Sequence, residues 1–298
     1  MKKPVIYITV IVVLLTANLY LFLNPRKGIN NAASNRYFDG VEKESLSRIS
    51  FTNNDQVVSM VKSENGWLLD DSLRVDREFF NTLLIILDKV ETLGKISTWA
   101  GDTLGEIELV TSKEVVKLQY AVNPTKTKAF FIDGSGVSEV SVPGYRDNVI
   151  GIFELHPDQW RDRLILDAGW RTIQRIKVDY QNAQDIVIQF DNTFFLVNGQ
   201  PPRDSSALVD YLNQFQYFQA NEIISKGRFP RFDSLMATQP TAQLTIDEIN
   251  NEDRLSMKIF PPLSGQNYHL VTTGNRMMVI DSKRVNNLLP ELSDFFSD

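Results

Sequence analysis

The chain has two histidines and no cysteine, and that scarcity bounds the chemistry it can perform. His156 stands in HPDQW and His269 in the strand-like run YHLVTT. A zinc site takes four protein ligands, or three and a water, from Cys, His and carboxylates. Two histidines so far apart in sequence are poor material for one. Without cysteine there is no disulfide framework, thiolate nucleophile or lipidated Cys. The sequence also contains no phosphate-cradling GxxxxGK[ST], no dinucleotide GxGxxG after a strand, no GxSxG and no HExxH.

Carboxylates are plentiful, and Asp70 with Asp71, or Asp162 with Glu154, are the pairs that could be drawn as acid and base. Asp70 and Asp71 follow a strand where a turn is due. Asp76, Asp204 and Asp281 stand where helix N-caps are needed, each carboxylate accepting from the first free backbone N–H groups. Asp158, Arg161, Asp162 and Arg163 form an alternating charge cluster, the pattern of a solvated face or a local ion-pair network. Placed at the middle of the chain, it could also hold two halves in a set orientation. No catalytic residue, metal ligand or cofactor site is assigned, and the protein is expected not to be an enzyme.

The elements around these residues repeat. The stretch from Trp67 to Ser97 reads as a strand end, a turn, an Asp-capped helix and a new strand, and Phe195 to Ser225 reads the same way. With Asp76 set against Asp204, Leu83 falls on Tyr211, Leu84 on Leu212, Leu87 on Phe215, Val90 on Phe218 and Ile96 on Ile224. Upstream, Arg48-Ile49 matches Arg175-Ile176 with a one-residue slip that a turn can absorb. The first helix should bury Phe79, Phe80, Leu83, Leu84, Leu87 and Val90, and the second Leu208, Tyr211, Leu212, Phe215 and Phe218. Trp67 and Phe195 should close their respective helix–sheet cores. Four strand-like runs follow each helix. A further helix is expected near Pro143 with Tyr145, Val149 and Ile152 inward, and a last one after Asp281 with Val285, Leu288, Leu289, Leu292 and Phe295 inward. Hairpin-length connections make the sheets mainly antiparallel, so the expected class is α+β: two tandem similar domains with helices packed on one side of each sheet.

Ahead of the repeats lies an apolar run, Pro4 to Leu23, free of charge and about as long as a bilayer core is thick. No small-residue cleavage site closes it, so it reads as an uncleaved transmembrane anchor with the body of the chain outside the cytoplasm. The expected organisation is anchor 1–23, tether 24–44, first repeat 45–155 and second repeat 156–298. A formal net charge of -6 argues against nucleic acid as a partner.

Trp67-Leu68, Asp76, Leu83-Leu84, Leu87 and Arg161-Asp162-Arg163-Leu164, set behind an anchor, carry a resemblance. The chain from Ser45 to Ile224 resembles a bacterial membrane-anchored domain-of-unknown-function family whose members occur beside subunits of gliding-motility-type ABC transport systems. The resemblance implies an envelope protein accessory to a transport or motility complex and supplies no catalytic residues; with the anchor, the expectation is an inner-membrane, single-pass protein with a periplasmic body. The expected function is therefore a tethered interaction module whose partner is another envelope protein, with no small-molecule ligand. The alternatives are a glycan- or lipid-binding module using a cleft between the repeats and, after it, a hydrolase.

Overall fold

A computed structural model describes residues 35–296 except 54–55, 98, 100, 146–147, 250 and 263–264. The expected membrane span, Pro4 to Leu23, lies outside the described residues. Among those described, no helix is long and apolar enough to cross a membrane.

Two large antiparallel sheets, of nine and eight strands, with a few helices make up the fold and suggest two domains. The first begins with β1 (Leu46–Asn53), β2 (Gln56–Ser63), β3 (Gly66–Leu69) and the two-residue β4 (Leu73–Arg74). Then come α1 (Arg77–Lys89), β5 (Glu91–Ile96), β6 (Gly105–Thr111), β7 (Val115–Val122), β8 (Ala129–Asp133) and β9 (Gly136–Ser141). Their order across the sheet is β4-β3-β2-β1-β6-β7-β8-β9-β5. After β10 (Leu164–Leu166), the second unit runs β11 (Ile173–Tyr180), β12 (Ile186–Asp191), β13 (Phe194–Val197), α2 (Ser205–Asn213), β14 (Phe218–Gln219) and β15 (Glu222–Ile224). It ends with α3 (Pro230–Met236), β16 (Ala242–Glu248), β17 (Asn251–Ile259), β18 (Tyr268–Thr273), β19 (Arg276–Asp281), α4 (Ser282–Leu288) and α5 (Ser293–Phe296). Its order is β13-β12-β11-β16-β17-β18-β19-β15, which is the first order without β4.

The agreement extends to register. Ile49 pairs with Met60 on one side and Leu109 on the other, and Ile176 pairs with Ile188 and Ile246. The ladder slips just after its start in both, between Leu46 and Arg48 and between Ile173 and Arg175. The strand returning from each helix closes the far edge in the same way, Ile96 opposite Val137 and Ile224 opposite Met277.

Period-two alternation explains which faces are dry. Ile49, Phe51, Met60, Ile107, Leu109 and Phe131 form one face of the first sheet, and α1 lays Phe80, Leu83 and Leu87 on it. Full burial of each such side chain is worth about 1.5–3 kcal/mol. In the second unit α2 lays Leu208, Tyr211 and Leu212 on Ile176, Ile188, Leu244 and Met278. Trp67 packs on Phe80 with ring centroids 4.6 Å apart, and Phe195 is buried against Phe190 and Phe194.

Several expectations are corrected. Residues 35–44, placed in the tether, belong to the first unit: Phe38 is buried, and the Tyr37 hydroxyl donates to Asp133 at 2.6 Å while its ring packs on Phe131. The helix expected near Pro143 is one 3-10 turn, Val149–Ile152, capped by Asn148. Gly144 at φ 83 turns the chain first and leaves Tyr145 exposed. The last helix is two pieces, because Pro290 cannot donate to the ladder. α2 ends at Asn213, so Phe215 and Phe218 are buried from the turn and from β14. The helices do not all lie on one side: α3, unforeseen, packs Phe232 with Leu270, Met277 and Val279, whose chain neighbours Val271, Met278 and Ile280 sit in the opposite core.

The two helix caps differ in setting. Asp76 accepts from the N–H groups of Glu78 and Phe79 and is also bonded to Arg163, whereas Asp204 accepts only from Ser206 and Ala207. Asp76→Ala should lower unfolding stability by about 3 kcal/mol, the lost cap plus the loss of the buried carboxylate that Arg163 pairs with, only the exposed Glu78 remaining to it. Asp204→Ala should lower it less, as measured by urea unfolding of each variant.

Candidate functional site

The charge cluster at mid-chain sits between the two units. A 3-10 turn, Pro157–Trp160, presents it, and that turn is fixed by a reciprocal cap. His156 Nδ1 accepts from the Asp158 N–H at 3.1 Å, and the Gln159 side-chain oxygen accepts from the His156 N–H at 2.9 Å. Trp160 is fully buried in the first core, with ring centroids 5.5 Å from Phe51 and 6.3 Å from Phe79. The first unit therefore continues through Trp160, past the expected boundary at 155.

Asp158, in the cluster expected to form a solvated face or a local ion-pair network, is 2% exposed and takes the second role. Its carboxylate accepts from the Ser225 N–H at 2.8 Å and the Ser225 hydroxyl at 2.5 Å, on the chain leaving β15. Arg161 at 3.3 Å and Arg228 at 3.4 Å supply positive charge, and Arg228 also reaches Glu222 at 2.6 Å. Burial pushes the Asp158 carboxyl up, but the two Ser225 donors, helped by Arg161, outweigh it and hold the group below its usual range. Burial holds the His156 imidazole below its ordinary value, with the Arg228 charge adding to the effect and Asp158 and Glu222 opposing it. A neutral ring agrees with Nδ1 acting as an acceptor.

Arg163 completes the joint from both ends. Its guanidinium donates to Asp76 at 2.8 Å and Glu78 at 3.3 Å and lies over the Phe79 ring, all in the first unit. Its carbonyl accepts from the Ala220 N–H of the second unit at 2.8 Å. The backbone follows suit, since Trp160 O accepts from the Asp76 N–H at 2.7 Å and β10 pairs with β14. Arg276 of β19 donates to the carbonyls of Asp162 at 2.9 Å and Leu164 at 3.4 Å. A cleft of about 480 Å³ opens beside this seam, lined by Arg74, Arg161 and Arg276, by Asp162 and Glu248, and by aliphatic side chains.

The other residues singled out in the sequence are not assembled into a site. Asp162 accepts from the Leu164 N–H at 3.0 Å and Glu154 from Lys126 at 3.2 Å, so each member of that acid–base pair is engaged elsewhere. Asp70 and Asp71 form a hairpin tip at φ 48 and 60; burial and then the Asp71 charge raise the Asp70 carboxyl. His269 is buried on an interior strand, not an edge, and its Nδ1 lies 2.8 Å from the Phe260 carbonyl oxygen. No group of three His, Asp or Glu able to hold a metal occurs among the described residues. The joint's partners Ser225 and Arg228 were missed in the sequence. Ser97 and Ser225 stand in register there, but nothing in the second serine's neighbourhood points to Asp158.

Asp158→Ala should cost about 3–5 kcal/mol, because it takes the acceptor from Arg161 and from the two Ser225 donors at a closed seam, and should separate the unfolding of the two units in calorimetry. His156 gives a second check. Its folded pKa is depressed, so its contribution is whole above about pH 6.5 and is lost as pH falls, when the unfolded chain takes the proton first. The urea midpoint should drop between about pH 7 and pH 5, and His156→Asn, which caps without titrating, should flatten that drop.

No family model, curated protein or solved structure matches the chain in comparisons of sequence and fold.

Proposed function

We propose that the protein is a non-catalytic, membrane-tethered module that works by binding another envelope protein, accessory to a transport or motility complex. In this reading Pro4 to Leu23 spans the inner membrane, the body lies in the periplasm, and the two units arose by duplication of one α+β domain. The shared strand order and matched registers support the duplication. The observation that carries the functional reading is the joint. The charged residues that looked most like chemistry, Asp76, His156, Asp158, Arg161 and Arg163, are engaged in fixing one unit against the other. A fixed two-unit body is a surface of set shape, which a partner can recognise without reorganising it. Tethering raises the effective concentration of a membrane-bound partner, so a weak interface suffices.

A photo-crosslinking residue at Leu73, an exposed position on the seam cleft, should capture a discrete membrane-protein adduct in cells. Releasing the body from its anchor should abolish both the adduct and the cellular function. A freed body that complements fully, with no adduct from the anchored form, would overturn the proposal.

A further inference from the structure

The two units differ at one corner in a way their shared scaffold does not require. Before β1 the chain makes a turn in which the Ser45 N–H donates to Glu42 O at 3.0 Å, and Lys43 of that turn pairs with Asp88 at the end of α1. Before β11 the same turn recurs, the Thr172 N–H donating to Gly169 O at 2.9 Å, but the position of Lys43 is taken by Trp170. The register from Asp204 puts Gln216 at the position of Asp88 and Tyr217 at that of Lys89. The ion pair is therefore replaced by an amide and an indole, and a cleft of about 680 Å³ opens there, lined by Asp167, Trp170, Arg171, Asn213, Gln216 and Tyr217.

The backbone is altered as well, with no change in length. From cap to returning strand, Asp76 to Ile96 and Asp204 to Ile224 contain the same number of residues. Yet α1 runs on to Lys89, whereas α2 stops at Asn213 and Tyr217 stands at φ 49. A bulky aromatic in the left-handed region is strained, and such strain persists where the surroundings enforce it. Here the Asp167 carboxylate enforces it by accepting the Tyr217 N–H at 2.9 Å. A Cβ at Gly169 would lie 2.5 Å from Gln216 Nε2, the tip of a flexible side chain, so a larger residue there would displace that amide. The outcome is two aromatic side chains held toward solvent, Trp170 38% and Tyr217 58% exposed. Beside them, Gln216 Nε2 donates to Asn213 Oδ1 at 3.2 Å, which among the described residues leaves Asn213 Nδ2, Gln216 Oε1 and the second Asp167 oxygen for a ligand.

We propose that this corner is a carbohydrate-binding site for a neutral oligosaccharide. Flat aromatic faces match the C–H faces of pyranose rings, and a carboxylate with two amides offers the paired acceptors and donors that adjacent hydroxyls need. Asp167 and Arg171 balance in charge, so a neutral ligand is favoured over an ionic one. A proline-rich peptide would use the rings and could accept from Asn213 Nδ2, but with few N–H groups it would leave the Gln216 and Asp167 oxygens without donors. The site lies within the second unit and does not depend on the body meeting a protein partner.

The test uses the full chain in a detergent without a sugar headgroup, titrated calorimetrically with the tetramers of glucose (β-1,4 and α-1,4), N-acetylglucosamine and mannose, and with decaproline. At least one tetrasaccharide should bind with a Kd between about 10 μM and 1 mM and shield Trp170 fluorescence from acrylamide. Trp170→Ala and Tyr217→Gly should each weaken binding by about tenfold or more, and Trp170→Phe by less. Tyr217→Gly should also leave the thermal midpoint unchanged or higher, because glycine adopts the positive φ without strain. Absence of binding by every tetrasaccharide at about 10 mM, binding of decaproline alone, or binding that survives both ring deletions would overturn the site. So would a Tyr217→Gly protein that loses affinity only by losing its fold.

Discussion

Everything beyond the single unit depends on a buried carboxylate. Taking Asp158 out of water is expensive, and its place between the units is tenable only because Ser225, Arg161 and Arg228 meet it there. Those donors come from both sides of the seam, so the carboxylate is satisfied only when the two units are together. Apolar contact alone would let the units slide. A charge that must find particular hydrogens fixes one geometry. Arg163 adds a second constraint of the same kind, since its side chain caps the first unit while its carbonyl holds the second.

Within each unit the logic is simpler. A three-strand meander, a capped helix, a strand returning to the far edge and a four-strand meander bury one face of a sheet beneath a helix. Apart from β4, the second unit has the same strand order and differs from the first in two places. It covers the reverse of its sheet with α3, where the first unit sets Trp99 on Phe130. It also trades the Lys43–Asp88 pair for the open aromatic corner at Trp170 and Tyr217. The difference arises at constant length and with Tyr217 held at a positive φ.

Local physics was legible in the sequence. Asp76, Asp204 and Asp281 cap helices as their positions require, and the strands and their turns fall where alternation and Asx or Gly residues put them. The match of Ile96 to Ile224 reproduces an actual register. What failed was what depends on distant chain. The Asp158 cluster reads equally as a solvated face or an ion-pair network, because two of its partners lie 67 and 70 residues away. Tyr37 and Phe38 read as tether because Phe131 and Asp133, which hold them, come much later. The strain at Tyr217 is invisible in a residue string that matches a regular helix in the first unit.

The absence of cysteine allows a direct measurement of the joint. Ile85→Cys on α1 and Asp210→Cys on α2, both exposed positions, accept spin labels without background. Pulsed electron resonance on the doubly labelled chain should give one narrow distance distribution at pH 7, unchanged by raised salt because the closing charges are buried. Asp158→Ala should broaden it. A broad or multiple distribution in the unaltered joint would contradict the account, because the two units would then be independent bodies on a hinge.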